Sequence, residues 1–408
     1  MTKTNQKIPE GWSVKKLEDV ALLFSGGTPS KEEPLYWENG HIKWLSAKYI
    51  ENDKVIGWDY ITDEGLEKSS AKTTQANDII LVTRVSVGKI YFCQESYAVN
   101  QDLTVIRAKN ISSNFLFFLI KNKQNLIIDK SQGLAIKGIT KEELSNISFL
   151  IPPLPEQEKI AEILGTWDTA IEKLSALIEQ KKQLKKGLMQ RLLTGKTRLK
   201  GFNQPWKEVK LGEIGTITSA GVDKKIIEGE NLVRLLNYMD VYKKDFLYST
   251  DTSMTVSASE RQIKNCDLKK GDIFFTPSSE TRDDIAHSAV VMEDIRDGVY
   301  SYHILRLRPT KSIDLKFSAY AFKTAMFYKK AYAWCAGSGQ RYVLSQDDFR
   351  NMKVFIPLDL SEQKAIADIL SKADEEITLL TRKLSALKTQ KTGLMQKLLT
   401  GQIRVKAA

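Results

Sequence analysis

The side chains best suited to specific chemistry lie in four polar segments. They are Thr83-Arg84-Val85-Ser86 with Lys89, Ser131-Gln132 with Lys137, Ser278-Ser279-Glu280-Thr281-Arg282, and Ser338-Gly339-Gln340-Arg341-Tyr342. The chemistry they offer is nucleic-acid recognition. A guanidinium takes the guanine O6/N7 edge bidentately, and a carboxamide takes adenine N6/N7. Serine and threonine hydroxyls, and backbone amides in glycine-rich turns, suit phosphate oxygens. The candidates are therefore Thr83, Arg84, Ser86, Lys89, Ser131, Gln132, Lys137, Ser278, Ser279, Thr281, Arg282, Ser338, Gln340 and Arg341. For each, the alternative is an ordinary solvated loop side chain.

Catalytic arrangements are harder to find. The only histidines are His41, His287 and His303, none at a metal-binding spacing. Gly195-Lys196-Thr197 mimics the end of a phosphate loop, but Gln190 stands where the first glycine is needed. No Gly-x-Gly-x-x-Gly and no Asn-Pro-Pro-aromatic tetrapeptide of an adenine methyltransferase occurs. Glu179-Gln180-Lys181 and Glu362-Gln363-Lys364 have nuclease-like spacing but fall on helical segments, where surface charge is the ordinary explanation. We read no catalytic residue and no metal ligand in this chain.

Bulk properties fit that reading. The net charge of +11 suits a polyanionic partner. The three cysteines, Cys93, Cys266 and Cys335, are too scattered for a disulfide scaffold or a zinc ribbon, which points to a reducing cytoplasm. No apolar run is long enough to span a membrane, and the first ten residues lack a signal-peptide core.

The elements that must position the polar loops are written twice. Residues 156–200 align with 362–406 without a gap, and nearly half the positions are identical. Fainter echoes lie outside that block: Trp12 with Trp206, Leu17 with Leu211, and Ile151-Pro152 with Ile356-Pro357. The order is therefore a variable domain (1–153), a helix (154–200), a second variable domain (201–358) and a second helix (359–408).

In each repeat the apolar residues alternate at intervals of four and three, the seam of a coiled coil. The seam is Ile160, Leu164, Trp167, Ile171, Leu174 and Ile178, then Ile366, Leu370, Ile377, Leu380, Leu384 and Leu387. Lys185 and Lys391 interrupt it at equivalent positions. The alternative is an amphipathic helix packed on its own domain. Each helix runs for at least about 30 residues, on the order of 50 Å, with Gly195 and Gly401 as stops. The first half of each is acid-rich. Residues 181–200 carry eight bases and no acid, and residues 377–408 carry seven and none. Antiparallel pairing sets acid against base, so we expect an antiparallel pair with a pseudo-twofold axis. The helix dipole explains only the terminal turns; contact of the basic ends with DNA phosphates is a rival role that could coexist.

Each variable domain mixes strands, such as 79–82, 103–108 and 273–275, with helices, such as 114–122 and 318–329, so α/β domains are expected. Their net charges are small, +1 for residues 1–155 and +3 for 201–358. Recognition must then rest on local loops.

One family unites these features. Ile151-Pro152-Pro153-Leu154-Pro155-Glu156-Gln157-Glu158-Lys159-Ile160-Ala161, the run Gly187-Leu188-Met189-Gln190-x-Leu192-Leu193-Thr194-Gly195, their repetition in the second half, and Trp12 and Trp206 opening the domains resemble the specificity subunit of type I restriction–modification systems. The resemblance covers the whole chain. It implies two target-recognition domains reading the halves of a split, asymmetric double-stranded DNA sequence, with the helices as spacer. It further implies docking of two modification subunits, which bind S-adenosylmethionine and methylate adenine, and of restriction subunits that use ATP and magnesium. The chain itself would bind no cofactor, act in phage defence and have no membrane partner. The second domain departs from the family's Pro-Pro-x-Pro-Glu-Gln, reading Ile356-Pro357-Leu358-Asp359-Leu360-Ser361-Glu362-Gln363, which loosens that boundary. A coiled-coil scaffold that binds only proteins and a self-contained nuclease or methyltransferase are the competing readings. Specific duplex binding would exclude the first, and the missing motifs count against the second.

Overall fold

The computed structural model describes residues 8–131, 138–219, 221–339 and 341–406. The chain forms two compact units, Met1–Ser175 with Lys383–Ala408, and Ala176–Arg382. Each unit holds one variable domain, the start of one long helix and the end of the other.

The two domains share a plan. In the first, the main sheet runs in the order Ala21–Ser25, Leu103–Ala108, Ile79–Val82, Ile90–Phe92, with every pairing antiparallel. In the second, the corresponding order is Gly215–Thr218, Leu305–Pro309, Ile273–Phe275, Ser288–Val291, with Phe246–Leu247 added at the edge. Both domains carry a further sheet containing a parallel pair, Ile42–Leu45 with Ala98–Val99 and Asn231–Leu236 with Ile295–Tyr300. In both, the first strand pairs with the last: Ser13–Lys16 with Ser148–Ile151, and Trp206–Lys210 with Lys353–Pro357. That pairing closes the domain and delivers the chain into its long helix. The strands read from sequence at 79–82, 103–108 and 273–275 form as expected. The helix expected at 318–329 is instead two, Leu315–Ala321 and Ala325–Trp334, because the Thr324 hydroxyl accepts the Phe327 N–H and caps a new start.

The long helices are Leu154–Leu192 and Leu360–Leu399. Gly195 and Gly401 follow them with φ of +68° and +69°, as glycine stops require. The seam reading divides in two. Ile160 and Leu164 enter the first domain's core together with Leu398 and Leu399. Ile366 and Leu370 enter the second domain's core with Leu192 and Leu193. These ends are therefore domain core, as the packed-helix alternative has it. Further along, Ile178 is buried and Trp167, Ile171, Leu174, Ile377, Leu380, Leu384 and Leu387 are half-buried, as a two-stranded seam leaves them.

Ion pairs fix the orientation within each unit. In the first, Arg404 forks onto buried Glu156 at 2.8 and 2.9 Å, and Lys391 meets Asp168 at 2.5 Å. In the second, Arg198 forks onto buried Glu362 at 2.7 and 2.8 Å, and Lys185 meets Asp374 at 2.5 Å. In both, the acid lies early in one helix and the base late in, or just past, the other, which is antiparallel pairing. The lysines that interrupt the apolar repeat are thus half of a duplicated charge pair. Around each stands a matching set: Lys121 with Asp53 and the Phe118 ring near Lys391, and Lys323 with Asp245 and the Tyr320 ring near Lys185. Burial pulls the Lys391 ammonium below its ordinary 10.5 despite Asp168, and does the same to Lys323 beside Asp245.

The repeated Glu-Gln is explained by the same junctions. Gln157 accepts the Ser112 N–H at 2.9 Å and donates to the Pro152 carbonyl at 2.8 Å. Gln363 accepts the Asp314 N–H and donates to the Pro357 carbonyl, both at 2.8 Å. Each carboxamide ties its helix start to the domain it leaves, satisfying backbone groups that burial would otherwise strand.

Candidate nucleic-acid interface

Two of the candidate segments, 83–89 and 278–282, sit on one hairpin in each domain. In the first domain it joins Ile79–Val82 to Ile90–Phe92, and in the second it joins Ile273–Phe275 to Ser288–Val291. The hairpin necks correspond bond for bond. Val82 N–H donates to the Lys89 carbonyl and Gly88 N–H to the Val82 carbonyl. Thr276 N–H donates to the His287 carbonyl and Ala286 N–H to the Thr276 carbonyl. Gly88 and Ala286 both have positive φ, +98° and +65°. Beyond the neck, each hairpin is met by a segment returning from the end of the domain. Ile139 N–H donates to the Thr83 carbonyl, and Leu344 N–H donates to the Pro277 carbonyl.

In the second domain this return brings two distant candidate segments into one small sheet. Ser278–Ser279 pairs with Arg341–Val343, which pairs with Ala336–Ser338. Ser278, Ser279, Thr281 and Arg341 line an open cleft of about 700 Å³, facing Lys224, Tyr238 and His303. Ser338 is exposed on the neighbouring strand. Arg282 is held differently. Its guanidinium lies over the Tyr342 and Tyr332 rings, at 5.3 and 5.8 Å, so it braces the hairpin. Burial, then Lys224 and Arg341, keep His303 below its ordinary 6.5, so near pH 7 it is neutral and can both donate and accept. Glu280 is exposed, while Asp284 accepts from the Tyr242 hydroxyl and pairs with His287 at 2.8 Å. The cleft offers donors and acceptors of both signs, the requirement for reading base edges rather than merely gripping phosphates.

In the first domain, Arg84 is exposed and bridges to Gly138, while Ser86 and Lys89 are half-buried beside it. Thr83 is not a surface residue. It is buried, with its hydroxyl bonded to Thr104 at 3.0 Å and to the Asp102 carbonyl, so it belongs to the sheet and not to a reading loop. Ser131 likewise turns its hydroxyl onto the Ile128 carbonyl at 2.6 Å, closing the end of a helix. Gln132, Lys137 and Gln340 lie outside the described residues.

Three features escaped the sequence reading. The Tyr242–Asp284–His287 network left no spacing signal, because its members join through the fold. The Gly88/Ala286 correspondence is invisible without a shared residue type. Val85 is the third. It stands at the first hairpin's tip, 63% exposed, with φ of +69°, and Ser86 N–H donates to the Arg84 carbonyl around it at 2.9 Å. A left-handed backbone costs a non-glycine residue about 1–2 kcal/mol, and more for a β-branched one. This three-residue turn is of the strained kind.

Two stretches, 9–183 and 203–389, match the model of the type I restriction modification DNA specificity domain. The chain belongs to that family. The MjaVIII specificity subunit of Methanocaldococcus jannaschii is 26% identical over 98% of this chain and 95% of its own length. The EcoR124I/EcoR124II specificity subunit of Escherichia coli is 33% identical over 38% of this chain and 40% of its own. The fold is shared with the S subunit of a type I system from M. genitalium, with a TM-score of 0.58, 18% identity and 98% of each chain covered. It is shared too with a chain from a structure on complex assembly and conformational transition of the type I system, with a TM-score of 0.62, 18% identity and 97% and 100% coverage. As a specificity subunit this chain is the DNA-recognition component of a type I restriction–modification complex and is not itself its catalyst. Among the described residues, no helix is long and apolar enough to cross a membrane.

Proposed function

We propose that this specificity subunit reads a split, asymmetric duplex target, one half with each hairpin tip, while its paired helices set the gap and dock two modification subunits. In this reading S-adenosylmethionine, ATP and magnesium belong to the modification and restriction subunits, and the complex works in the cytoplasm. The observation that carries the proposal is the convergence in the second domain. Ser278–Ser279 and Arg341–Val343, far apart in sequence, pair beside one cleft that Ser278, Ser279, Thr281 and Arg341 line. Arg84 and Ser86 hold the matching place in the first domain. Arg341 and Arg84 are exposed and can take a guanine edge or a phosphate, and Glu280 can accept from a cytosine amino group.

The test is co-expression with the methyltransferase subunit, followed by mapping of methylated adenines. One split motif with a constant gap is the expected result. Methylation by the partner that this chain leaves unaltered would overturn the reading. Arg84→Ala and Arg341→Ala should each relax one half of the motif and leave the other intact. The relaxation should correspond to about 1–3 kcal/mol at the affected base pair.

A further inference from the structure

We infer that Val85 is a specificity-determining residue of the first domain, and that what it contacts is the C5-methyl group of a thymine in that domain's half-site. The inference rests on the DNA-reading proposal above and adds one residue and one chemical group to it. Val85 combines three properties that ordinary loop positions do not combine. It is β-branched, yet it holds a left-handed φ of +69°. It is 63% exposed, so no packing within the described residues offsets that strain. It also lies between Arg84 and Ser86, at the tip of the hairpin whose counterpart in the second domain borders the polar cleft.

Glycine or asparagine would make this turn more easily. Strain that persists at an exposed tip marks a position held for contact with something outside the fold. The Val85 side chain ends in two methyl groups and can neither donate nor accept a hydrogen bond. On a base edge, the group that rewards an apolar contact is the thymine methyl, exposed in the major groove. The exposed Arg84 beside it supplies the charge that brings a duplex there and holds it. An apolar protein partner fits less well, because Val85 is the single apolar residue of a tip otherwise formed by Arg84 and Ser86.

The methyl group itself can be deleted from the DNA. The complex of this chain with its methyltransferase subunit is presented with duplexes of the methylated motif, each with one thymine replaced by deoxyuridine. For the natural chain, one such replacement, in one half of the motif only, should weaken binding about four- to fifteenfold, the worth of burying one or two methyl groups. In Val85→Gly that penalty should vanish, while the thermal midpoint of the chain rises because the turn is relieved. Val85→Thr, which keeps the branched shape and one methyl, should retain part of it. Indifference of the natural complex to every replacement, or the same penalty in Val85→Gly, would overturn the inference and leave the DNA-reading proposal standing. Absence of any split motif for the natural chain would instead strike the proposal beneath it.

Discussion

The helix junctions of the two halves correspond residue for residue, whereas the hairpin tips do not. Glu156 with Arg404 becomes Glu362 with Arg198, Asp168 with Lys391 becomes Asp374 with Lys185, and Gln157 becomes Gln363 on the same backbone groups. The tips rise from necks with the same two hydrogen bonds, yet one is a strained Arg84-Val85-Ser86 turn and the other a longer loop paired with a second hairpin. Duplication has kept what holds a domain to its helices and let go of what faces outward. That is the division expected of a molecule whose two halves must assemble alike and read differently.

The most drastic way to break the comparison is to alter the repeated part and leave the tips alone. One heptad inserted in both helices, after Ile178 and after Leu384, should abolish methylation of the natural motif. It should create a motif with the same halves and a different gap, seen by mapping methylated adenines. Retention of the old gap would remove the spacer role from the helices.

The duplicated charge pairs give the next largest effect. Asp168→Ala takes from buried Lys391 the acid it touches, whereas Asp374→Ala removes only the nearer acid of half-buried Lys185, which keeps Asp245 at 3.8 Å, together with the 2.7 Å acceptor of the Tyr320 hydroxyl. Asp168→Ala should lower the unfolding free energy by about 3 kcal/mol, and Asp374→Ala by less, because Asp245 still answers Lys185. Lys391→Met, which removes the buried charge and leaves Asp168 near solvent, should stay within about 1 kcal/mol of the natural chain. Denaturant midpoints would separate the two cases.

A finer contrast lies at the hairpin necks. A methyl added at Gly88 would stand 2.6 Å from the Ile128 side chain, on a backbone with φ of +98°. Gly88→Ala should therefore cost about 2 kcal/mol. The second domain already carries alanine there. Ala286→Gly relieves the backbone but removes a buried methyl, so its net change should stay within about 1 kcal/mol. Equal losses at the two sites would show that the necks are less alike than their hydrogen bonds.

The smallest effect is a pH dependence. Burial pushes the Glu156 carboxyl up, but Arg404 and the Trp12 indole outweigh it and hold the group below its ordinary 4.5. A depressed carboxylate stabilises the fold above its ordinary value and loses that contribution as pH falls through the lowered one. The stability gap between the natural chain and Glu156→Gln should be largest above pH 4.5 and close below it. Urea titrations at several pH values would register this.

How far the sequence could be read follows from the same contrast. The repeat, the antiparallel helices and the glycine stops were legible because they rest on period, charge order and φ preference. Lys185 and Lys391 were visible as interruptions, but their role was not. Their partners, Asp168 and Asp374, are chosen by the register of the pair, which no local pattern states. Thr83 and Ser131 misled because residue type cannot tell a hydroxyl facing a duplex from one bonded inward. Convergence of Ser278–Ser279 with Arg341–Val343 needed the sheet itself.

The composition of the first unit bears on how the chain is made. Its core takes Leu398 and Leu399, and its buried Glu156 takes Arg404, so it cannot close on residues 1–175 alone. The second unit is a single continuous stretch, Ala176–Arg382. At ribosomal rates of roughly 5–20 residues per second, the amino-terminal domain emerges first and then waits on the order of 10–50 s for its last pieces. The later-made half can thus mature before the earlier one. During that interval the sockets for Leu398 and Leu399 stand open, an opportunity for chaperones and a hazard in any message cut short.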